Sequence, residues 1–94
     1  MSGRRLYVFA YDIADDRRRG RVASLLESRG LRVQESVFEL RETQRGAVAL
    51  AAQLKKRMRP PDNLRVYPVP GSVLADCIAI GGAPVAEDGD FLIF

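Results

Sequence analysis

The sequence predicts an α+β sandwich of ferredoxin-like type, in which two helices pack on one face of a sheet and an additional strand follows at the C-terminus. Short apolar segments alternate with two helical patterns of similar length, in the order β-α-β(β)-α-β-β. With 94 residues, 47% of them hydrophobic, the chain can build one core but not the repeated βα units of a doubly wound fold. We therefore expect a single domain over 1–94, with 71–94 as a strand extension at a dimer interface.

The first strand is predicted over 6–13, because LYVFAYDI is short, apolar and rich in aromatic and β-branched residues. Side chains alternate along a strand, so the segment has one face that ends in an acid and one that carries the aromatics. The first face consists of Leu6, Val8, Ala10 and Asp12. The second consists of Tyr7, Phe9, Tyr11 and Ile13.

Two helices are predicted from their caps and stop signals. Asp15 or Asp16 begins the first helix and Gly30 stops it. Thr43 caps the second helix, although glycine three residues later removes the acid of a capping box. This helix cannot pass Pro60 and Pro61, and its apolar stripe consists of Ala47, Leu50, Ala51, Leu54 and Met58.

The remaining strands are less evenly spaced. Residues 31–40 form either one long strand or two short ones that turn near Gln34–Ser36, and the pattern leaves both open. Further strands are predicted over 63–69 and 73–80. The tail FLIF at 91–94 is predicted to add an edge strand, either in this chain or on a partner chain.

Composition excludes several kinds of chemistry. The chain has no His and a single Cys, which rules out Ser-His and Cys-His nucleophiles, an intrachain disulfide and a cysteine-based zinc site. A metal would therefore have to be bound by oxygen ligands, as Mg²⁺, Mn²⁺ and Ca²⁺ are. The net charge of +3 is compatible with an anionic partner. No apolar run approaches the roughly 20 residues of a membrane span, so we expect a cytoplasmic protein without membrane contact.

Asp12 is the most distinctive residue. Its carboxylate shares a strand face with apolar side chains, where an unpaired charge is costly to bury. A salt bridge to an arginine or capping of the next turn is the commoner explanation, and a metal ligand is the functional one. Mg²⁺ commonly binds one or two carboxylates, so two copies of Asp12 across a two-fold axis would form a credible site. Asp15 and Asp16 could add ligands, but helix capping is the commoner role for them.

An arginine cluster follows this acid and consists of Arg17, Arg18, Arg19 and Arg21. Cations at a helix N-terminus oppose the helix dipole, which favours a phosphate-binding function over a merely solvated helix face. Arg17 and Arg21 are four residues apart and should share the solvated side of the helix, with Arg19 pointing elsewhere. The aromatic stripe of the first strand could stack nucleic-acid bases, although core packing is the commoner explanation.

Three segments together resemble the CRISPR-associated Cas-two family, which contains CRISPR-associated endoribonucleases and the small partner of the CRISPR integrase. They are YVFAYDIADDRRRGRVASLL, GLRVQESVFEL and NLRVYPV, and the match covers residues 4 to 69. The resemblance implies a ferredoxin-like homodimer in which Asp12 meets its two-fold mate and binds Mg²⁺, with Mn²⁺ as a possible substitute. It also implies metal-dependent hydrolysis of RNA or DNA in spacer acquisition and defence, with Asp12 as the catalytic residue.

Further residues are assigned by position in the family motif. Tyr11, Arg19, Arg21, Arg32 and Phe38 match motif positions near the metal and substrate path. Together with the arginine cluster this gives predicted nucleic-acid contacts at Arg17, Arg19, Arg21 and Arg32, supported by Tyr11 and Phe38.

Two other functions are considered. One is a non-catalytic dimeric scaffold that holds DNA and bridges integrase subunits, as the resemblance also implies. The other is a ferredoxin-like module that binds RNA or a small regulatory ligand. A small-ligand module is disfavoured by the arginine cluster and by the absence of a glycine-rich ligand loop.

Overall fold

The computed structural model describes residues 3–85 and contains four strands, two α-helices and one 3₁₀ helix. The strands are β1 (Arg5–Asp12), β2 (Leu31–Gln34), β3 (Val37–Glu42) and β4 (Asn63–Val69). The helices are α1 (Asp16–Glu27) and α2 (Gln44–Lys55), and the 3₁₀ helix covers Gly71–Asp76. Among these residues, none of the helices combines the length and apolar character needed to cross a membrane.

The strands form one antiparallel sheet in the order β2-β3-β1-β4. This βαββαβ topology confirms the predicted ferredoxin-like fold. The segment after α1 forms two strands, β2 and β3, joined by a turn at Glu35 and Ser36, which settles the alternative left open by the sequence. In the centre of the sheet Phe9 of β1 lies opposite Phe38 of β3, and Asp12 at the end of β1 lies opposite Asn63 of β4.

The core lies between the helices and one face of the sheet. Phe9, Phe38, Leu26, Leu50 and Leu54 are each 0% exposed. The aromatic stripe of β1 belongs to this core, since Tyr7 and Tyr11 are buried with Phe9. Core packing is therefore the correct explanation for the stripe, and these rings are not available to stack bases.

The helix ends show how local contacts fix the elements. At the start of α1, Asp15 accepts a hydrogen bond from the Arg18 backbone N–H at 2.9 Å. At the start of α2, the Thr43 hydroxyl accepts one from the Gly46 N–H at 3.0 Å. Glu42 then accepts the Thr43 N–H at 2.9 Å, which is the contact that the missing capping-box acid would make. A Cβ atom on Gly46 would collide with the Glu42 side chain.

Gly30 follows the end of α1 and also lies close to strand β3. The helix ends at Glu27, and Gly30 then passes close to β3. A Cβ atom here would lie 2.5 Å from the Glu39 carbonyl oxygen, closer than packed atoms approach. The absence of a side chain therefore lets the α1–β2 connection lie against the sheet.

The predicted strand over 73–80 is wrong. Residues 71–76 form the 3₁₀ helix, and the chain from Cys77 to Val85 has no regular structure. A strand needs a hydrogen-bonded neighbour, and among the described residues no strand pairs with the outer edge of β4. The predicted FLIF strand lies outside the described residues.

The second face of the sheet, which we call the open face, is not covered by the helices. Alternation and register place on it Val8, Ala10, Asp12, Glu39 and Tyr67. Tyr67 is 51% exposed, and Val8 and Ala10 are half-buried. Ile78 and Ile80 line a shallow recess with Val33 and Glu39 over β2 and β3, and both isoleucines remain exposed.

Candidate metal and nucleic-acid site

The predicted functional residues gather at one end of the sheet. Asp12 ends β1 there, and the loop to α1 follows directly. The C-terminus of α2 reaches the same end, because its connection at 56–62 leads into Asn63, the register partner of Asp12. The fold therefore brings together two stretches of the chain that are distant in sequence, since Asp12 and its register partner Asn63 are 51 positions apart.

Asp12 is exposed and takes part in no ion pair or hydrogen bond with any residue in the range 3–85. The structure thus supports neither of the ordinary explanations for this acid. None of the arginines forms a salt bridge with it, and the carboxylate that caps α1 is that of Asp15. Since Asp12 faces solvent in the protomer, the expected cost of burying it there does not arise.

One protomer supplies only part of a metal site. Within the described residues no group of three or more Asp, Glu, Cys or His side chains comes close enough to hold a metal ion. Asp15 is committed to the helix cap, and the Arg18 N–H that it accepts lowers the pKa of Asp15. Asp16 pairs with Arg19. Asp12 is thus a free, hard oxygen donor that fits half of a two-carboxylate Mg²⁺ site.

Arg19 is folded back over the loop that follows Asp12. One terminal nitrogen donates to the Ile13 carbonyl at 3.1 Å and to the Ala14 carbonyl at 3.0 Å. The other nitrogen pairs with the Asp16 carboxylate. This guanidinium group therefore holds the β1–α1 loop, and its contact with nucleic acid stays a prediction.

Arg32, Phe38 and Tyr11 form a stack beside the β2–β3 turn. The Arg32 guanidinium carbon lies 5.3 Å from the Phe38 ring centroid, and the Phe38 and Tyr11 rings are 6.3 Å apart. Arg32 Nε and the Tyr11 hydroxyl both donate to the Glu35 carbonyl, at 3.1 Å and 3.4 Å. Arg32 also pairs with Glu27 at 3.1 Å. The stack therefore joins the turn to the end of β1.

Arg18 is likewise occupied within the chain. Its Nε and one terminal nitrogen donate to the two carboxylate oxygens of Asp62, at 2.8 Å and 3.2 Å. The Asp62 side chain is only 2% exposed, and the hydrogen bonds from Arg18 lower its pKa. The same contact raises the pKa of Arg18. Sequence reasoning did not find Asp62, because nothing local to its turn indicates an arginine 44 residues away.

Arg17 and Arg21 are exposed and lie together on α1, as their spacing predicts. They line two adjoining recesses that are also lined by three cationic residues from the connection after α2, namely Lys56, Arg57 and Arg59. We call this feature the basic groove. Lys56 and Arg57 lie outside the apolar stripe predicted for α2, and a common charge sign is the one sequence signal that connects them to the arginine cluster.

Comparison with known proteins decides the family. The sequence profile described as "CRISPR associated protein Cas2" matches residues 5–75. This chain belongs to the CRISPR-associated Cas2 family. A Thermus thermophilus protein named "CRISPR-associated endonuclease Cas2 2" is 45% identical over 87 residues, which is 87% of this chain and 90% of that protein. A Synechocystis protein named "CRISPR-associated endoribonuclease Cas2 3" is 43% identical over 83 residues, with the same two coverages of 87% and 90%.

Solved Cas2 structures share the fold. Streptococcus pyogenes Cas2 at pH 6.5 is 26% identical with a TM-score of 0.69, over 81% of this chain and 99% of that one. A chain from a solved assembly, "Partial Cas6-RT-Cas1--Cas2 complex", is 25% identical with a TM-score of 0.76, over 96% and 99% of the two chains. The Cas2 match contains every element from β1 through β4, so Asp12 and the basic groove both lie inside it.

Proposed function

We propose that this Cas2-family chain is a metal-dependent endonuclease that works as a homodimer in CRISPR spacer acquisition. One observation carries the proposal: the Asp12 carboxylate is exposed, has no partner within residues 3–85 and lies at the end of the open face. The names of the relatives, endonuclease and endoribonuclease, agree with this function.

The open face supports a second copy of the chain as the partner. It exposes apolar surface at Tyr67 and Leu31, which are 51% and 44% exposed. Glu39 in the middle of this face has a buried Oε1 without a hydrogen-bond partner among the described residues, and burial raises the pKa of its carboxyl. A two-fold axis through this face would cover the apolar residues and bring two Asp12 side chains toward each other.

The two Asp12 carboxylates would hold Mg²⁺, with Mn²⁺ as a substitute. When bound, the ion supplies Lewis-acid stabilisation of the phosphate charge and makes water more acidic. Asp12 provides the oxygen donors for this ion from an exposed side chain. The loop contacts of Arg19 hold the residues directly after Asp12 in place. Arg17 and Arg21 bind the phosphate backbone of RNA or DNA.

A non-catalytic scaffold is the alternative that the geometry also favours. Within residues 3–85 no group of three Asp, Glu, Cys or His side chains forms around Asp12, whereas exposed arginines for nucleic-acid binding are present. A scaffold would hold DNA and bridge integrase subunits, and a Cas1 protein, such as the one named in the solved assembly, would be the partner. An RNA-binding module that stacks bases on β1 is disfavoured, since its aromatic residues are buried.

The deciding experiment compares wild type, Asp12→Asn and Asp76→Asn on RNA and DNA substrates, with Mg²⁺, with Mn²⁺ and with EDTA. Asp76 is an exposed acid of the 3₁₀ helix and is the matched control. We expect Asp12→Asn to lower cleavage by about 100-fold or more, because one carboxylate is lost from each half-site. The melting temperature should stay within roughly 2 °C, as for a surface substitution.

Two results would contradict the nuclease. Cleavage that persists both in Asp12→Asn and in EDTA would contradict a metal-dependent mechanism at Asp12. A monomer in light scattering at micromolar concentration would contradict a metal site shared between two chains. Wild-type protein that binds nucleic acid and cleaves nothing with either metal would establish the scaffold instead.

A further inference from the structure

We infer that Asn63 is a second metal-binding side chain of the half-site at Asp12, and that its amide oxygen joins the Asp12 carboxylate in holding the divalent cation. The inference rests on the proposed function and adds to it an oxygen donor of a different chemical class. Asn63 begins β4 and is exposed, and its side chain makes no hydrogen bond or ion pair within residues 3–85.

The sheet holds Asn63 and Asp12 side by side. They are register partners in the antiparallel pairing of β4 with β1, and such partners project from the same face of a sheet. The Cβ atoms of directly opposite residues are about 4.5–5.5 Å apart, a separation at which two short side chains can reach one ion. Arg65, the next β4 residue on this face, lies opposite Ala10 and is therefore only a diagonal neighbour of Asp12. Asn63 is thus the β4 side chain nearest to Asp12.

The turn before β4 does not use the Asn63 amide. Asn residues often stabilise turns by a hydrogen bond between their side chain and the backbone. Here Asp62 makes this contact, because its carboxylate accepts the Arg59 backbone N–H at 3.2 Å. Asn is also among the residues least suited to a strand. No contact within the described residues therefore explains this amide, and binding of a ligand does.

Both donors are attached to backbone that is already fixed in the free protein. Asp62, directly before Asn63, accepts hydrogen bonds of 2.8 Å and 3.2 Å from the Arg18 side chain of α1. On the other strand, Arg19 donates to two carbonyl groups of the loop that directly follows Asp12. A metal site gains affinity from such support, because its donors do not have to be ordered when the ion binds.

An amide oxygen suits this position better than another acid. Mg²⁺ and Mn²⁺ both accept carboxylate, carbonyl and water oxygens. Two Asp12 carboxylates brought together across a two-fold axis repel each other before the ion binds, and a neutral amide adds a donor without adding to this repulsion. The nearest acids in sequence, Asp15 and Asp16, are occupied by the helix cap and by Arg19.

The test measures Mn²⁺ binding to the full-length protein without nucleic acid. Electron paramagnetic resonance measures the free ion, and water-proton relaxation reports the number of waters on the bound ion. Asn63→Ala removes the oxygen donor and should weaken Mn²⁺ binding by about 10-fold or more. It should also add about one bound water for each amide lost, because water fills the vacant position. Asn63→Asp keeps an oxygen donor and should bind Mn²⁺ at least as tightly as wild type.

Gln44→Ala is the matched control and should bind Mn²⁺ as wild type does. Gln44 is an exposed amide at the start of α2, which follows the end of β3 that lies opposite Arg5, far from Asp12. Circular dichroism and light scattering verify the fold and the oligomeric state of each variant, so that a loss of Mn²⁺ binding is not mistaken for unfolding.

Two results would overturn the role of Asn63 and leave the site at Asp12 intact. One is wild-type affinity and hydration in Asn63→Ala when Asp12→Asn has lost the ion. The other is binding in Asn63→Asp that is as weak as in Asn63→Ala, because the amide would then act through its N–H group. Wild-type protein that binds no Mn²⁺ would overturn both the role of Asn63 and the proposed metal-dependent function.

Discussion

The two faces of the sheet differ mainly in what covers them, since the helices pack on one face and leave the other open. Both include alternate side chains of β1, and neighbouring residues have opposite surroundings. Phe9 is 0% exposed beneath the helices, whereas Val8 and Ala10 on the open face are half-buried and Asp12 is exposed. The helix-covered face is complete within one chain. The open face carries apolar residues and two acids without protein partners in the described part of the chain, as expected of a surface that acts in an assembly.

Substitutions on the two faces should have different effects, on folding stability for the helix-covered face and on dimerisation for the open face. Phe9→Ala should cost about 3–5 kcal/mol of unfolding free energy, because a fully buried aromatic is replaced by a cavity in the centre of the sheet. That is a large part of the 5–15 kcal/mol typical of small domains. Urea denaturation followed by circular dichroism measures it, and a loss below roughly 1 kcal/mol would show that the core relaxes around the site.

On the open face, Tyr67→Glu should break the dimer and leave the protomer folded. Tyr67 is 51% exposed, so a charge there costs little in one chain but opposes burial between two. We expect the dimer dissociation constant to rise by about 30-fold or more, the effect of an interface anchor worth roughly 2 kcal/mol. Sedimentation velocity over a concentration series measures it.

Val48→Glu is the matched control, since Val48 is 62% exposed on the helical side. An unchanged dimer in Tyr67→Glu, or equal loss in the control, would mean that the open face is not the interface.

The smallest effect is a difference in pH dependence between the two variants Glu39→Gln and Asp62→Asn. Burial raises the pKa of Glu39 above its ordinary value of 4.5. Its contribution to stability is therefore present below pH 4.5 and is lost as the pH rises through the raised pKa. Glu39→Gln should melt a few degrees above wild type at neutral pH, and the difference should vanish near pH 4.

Asp62 should behave in the opposite sense. Its lowered pKa gives stability that is present at neutral pH and is lost as the pH falls through that lowered value. Parallel thermal melts from pH 4 to pH 8 measure both. The same sign of pH dependence for the two acids would contradict the assigned environments.

The regular part of the fold could be predicted from the sequence because local patterns specify it. The β4 bounds, the caps Asp15 and Thr43 and the buried stripe of α2 all follow from spacing and capping chemistry. The prediction of a strand over 73–80 is wrong because β propensity alone does not form a strand. The outer edge of β4 is unpaired within the described residues, yet the chain turns into the 3₁₀ helix Gly71–Asp76 directly after β4 and does not pair with it.

The arrangement of site residues could be predicted where it depends on neighbours in sequence. It could not be predicted where it depends on contacts between distant segments of the chain. The exposed pair Arg17 and Arg21 followed from helical spacing. The engagement of Arg18 by Asp62 could not be deduced, since its partner lies 44 residues away. The same holds for the basic groove, because its residues Lys56, Arg57 and Arg59 come from the α2–β4 connection.

The start of α2 has a consequence for how this sequence can change. Glu42 occupies the space that a side chain on Gly46 would need, and it also makes the Thr43 contact that an acid at position 46 would make. An acid at either position 42 or position 46 could accept the Thr43 N–H, and the residue at one position limits which side chains fit at the other. A side chain acquired at 46 would displace the flexible end of the Glu42 side chain, and loss of Glu42 would leave the Thr43 N–H without this acceptor while 46 is glycine. A change at either position would therefore be compensated most directly by a change at the other.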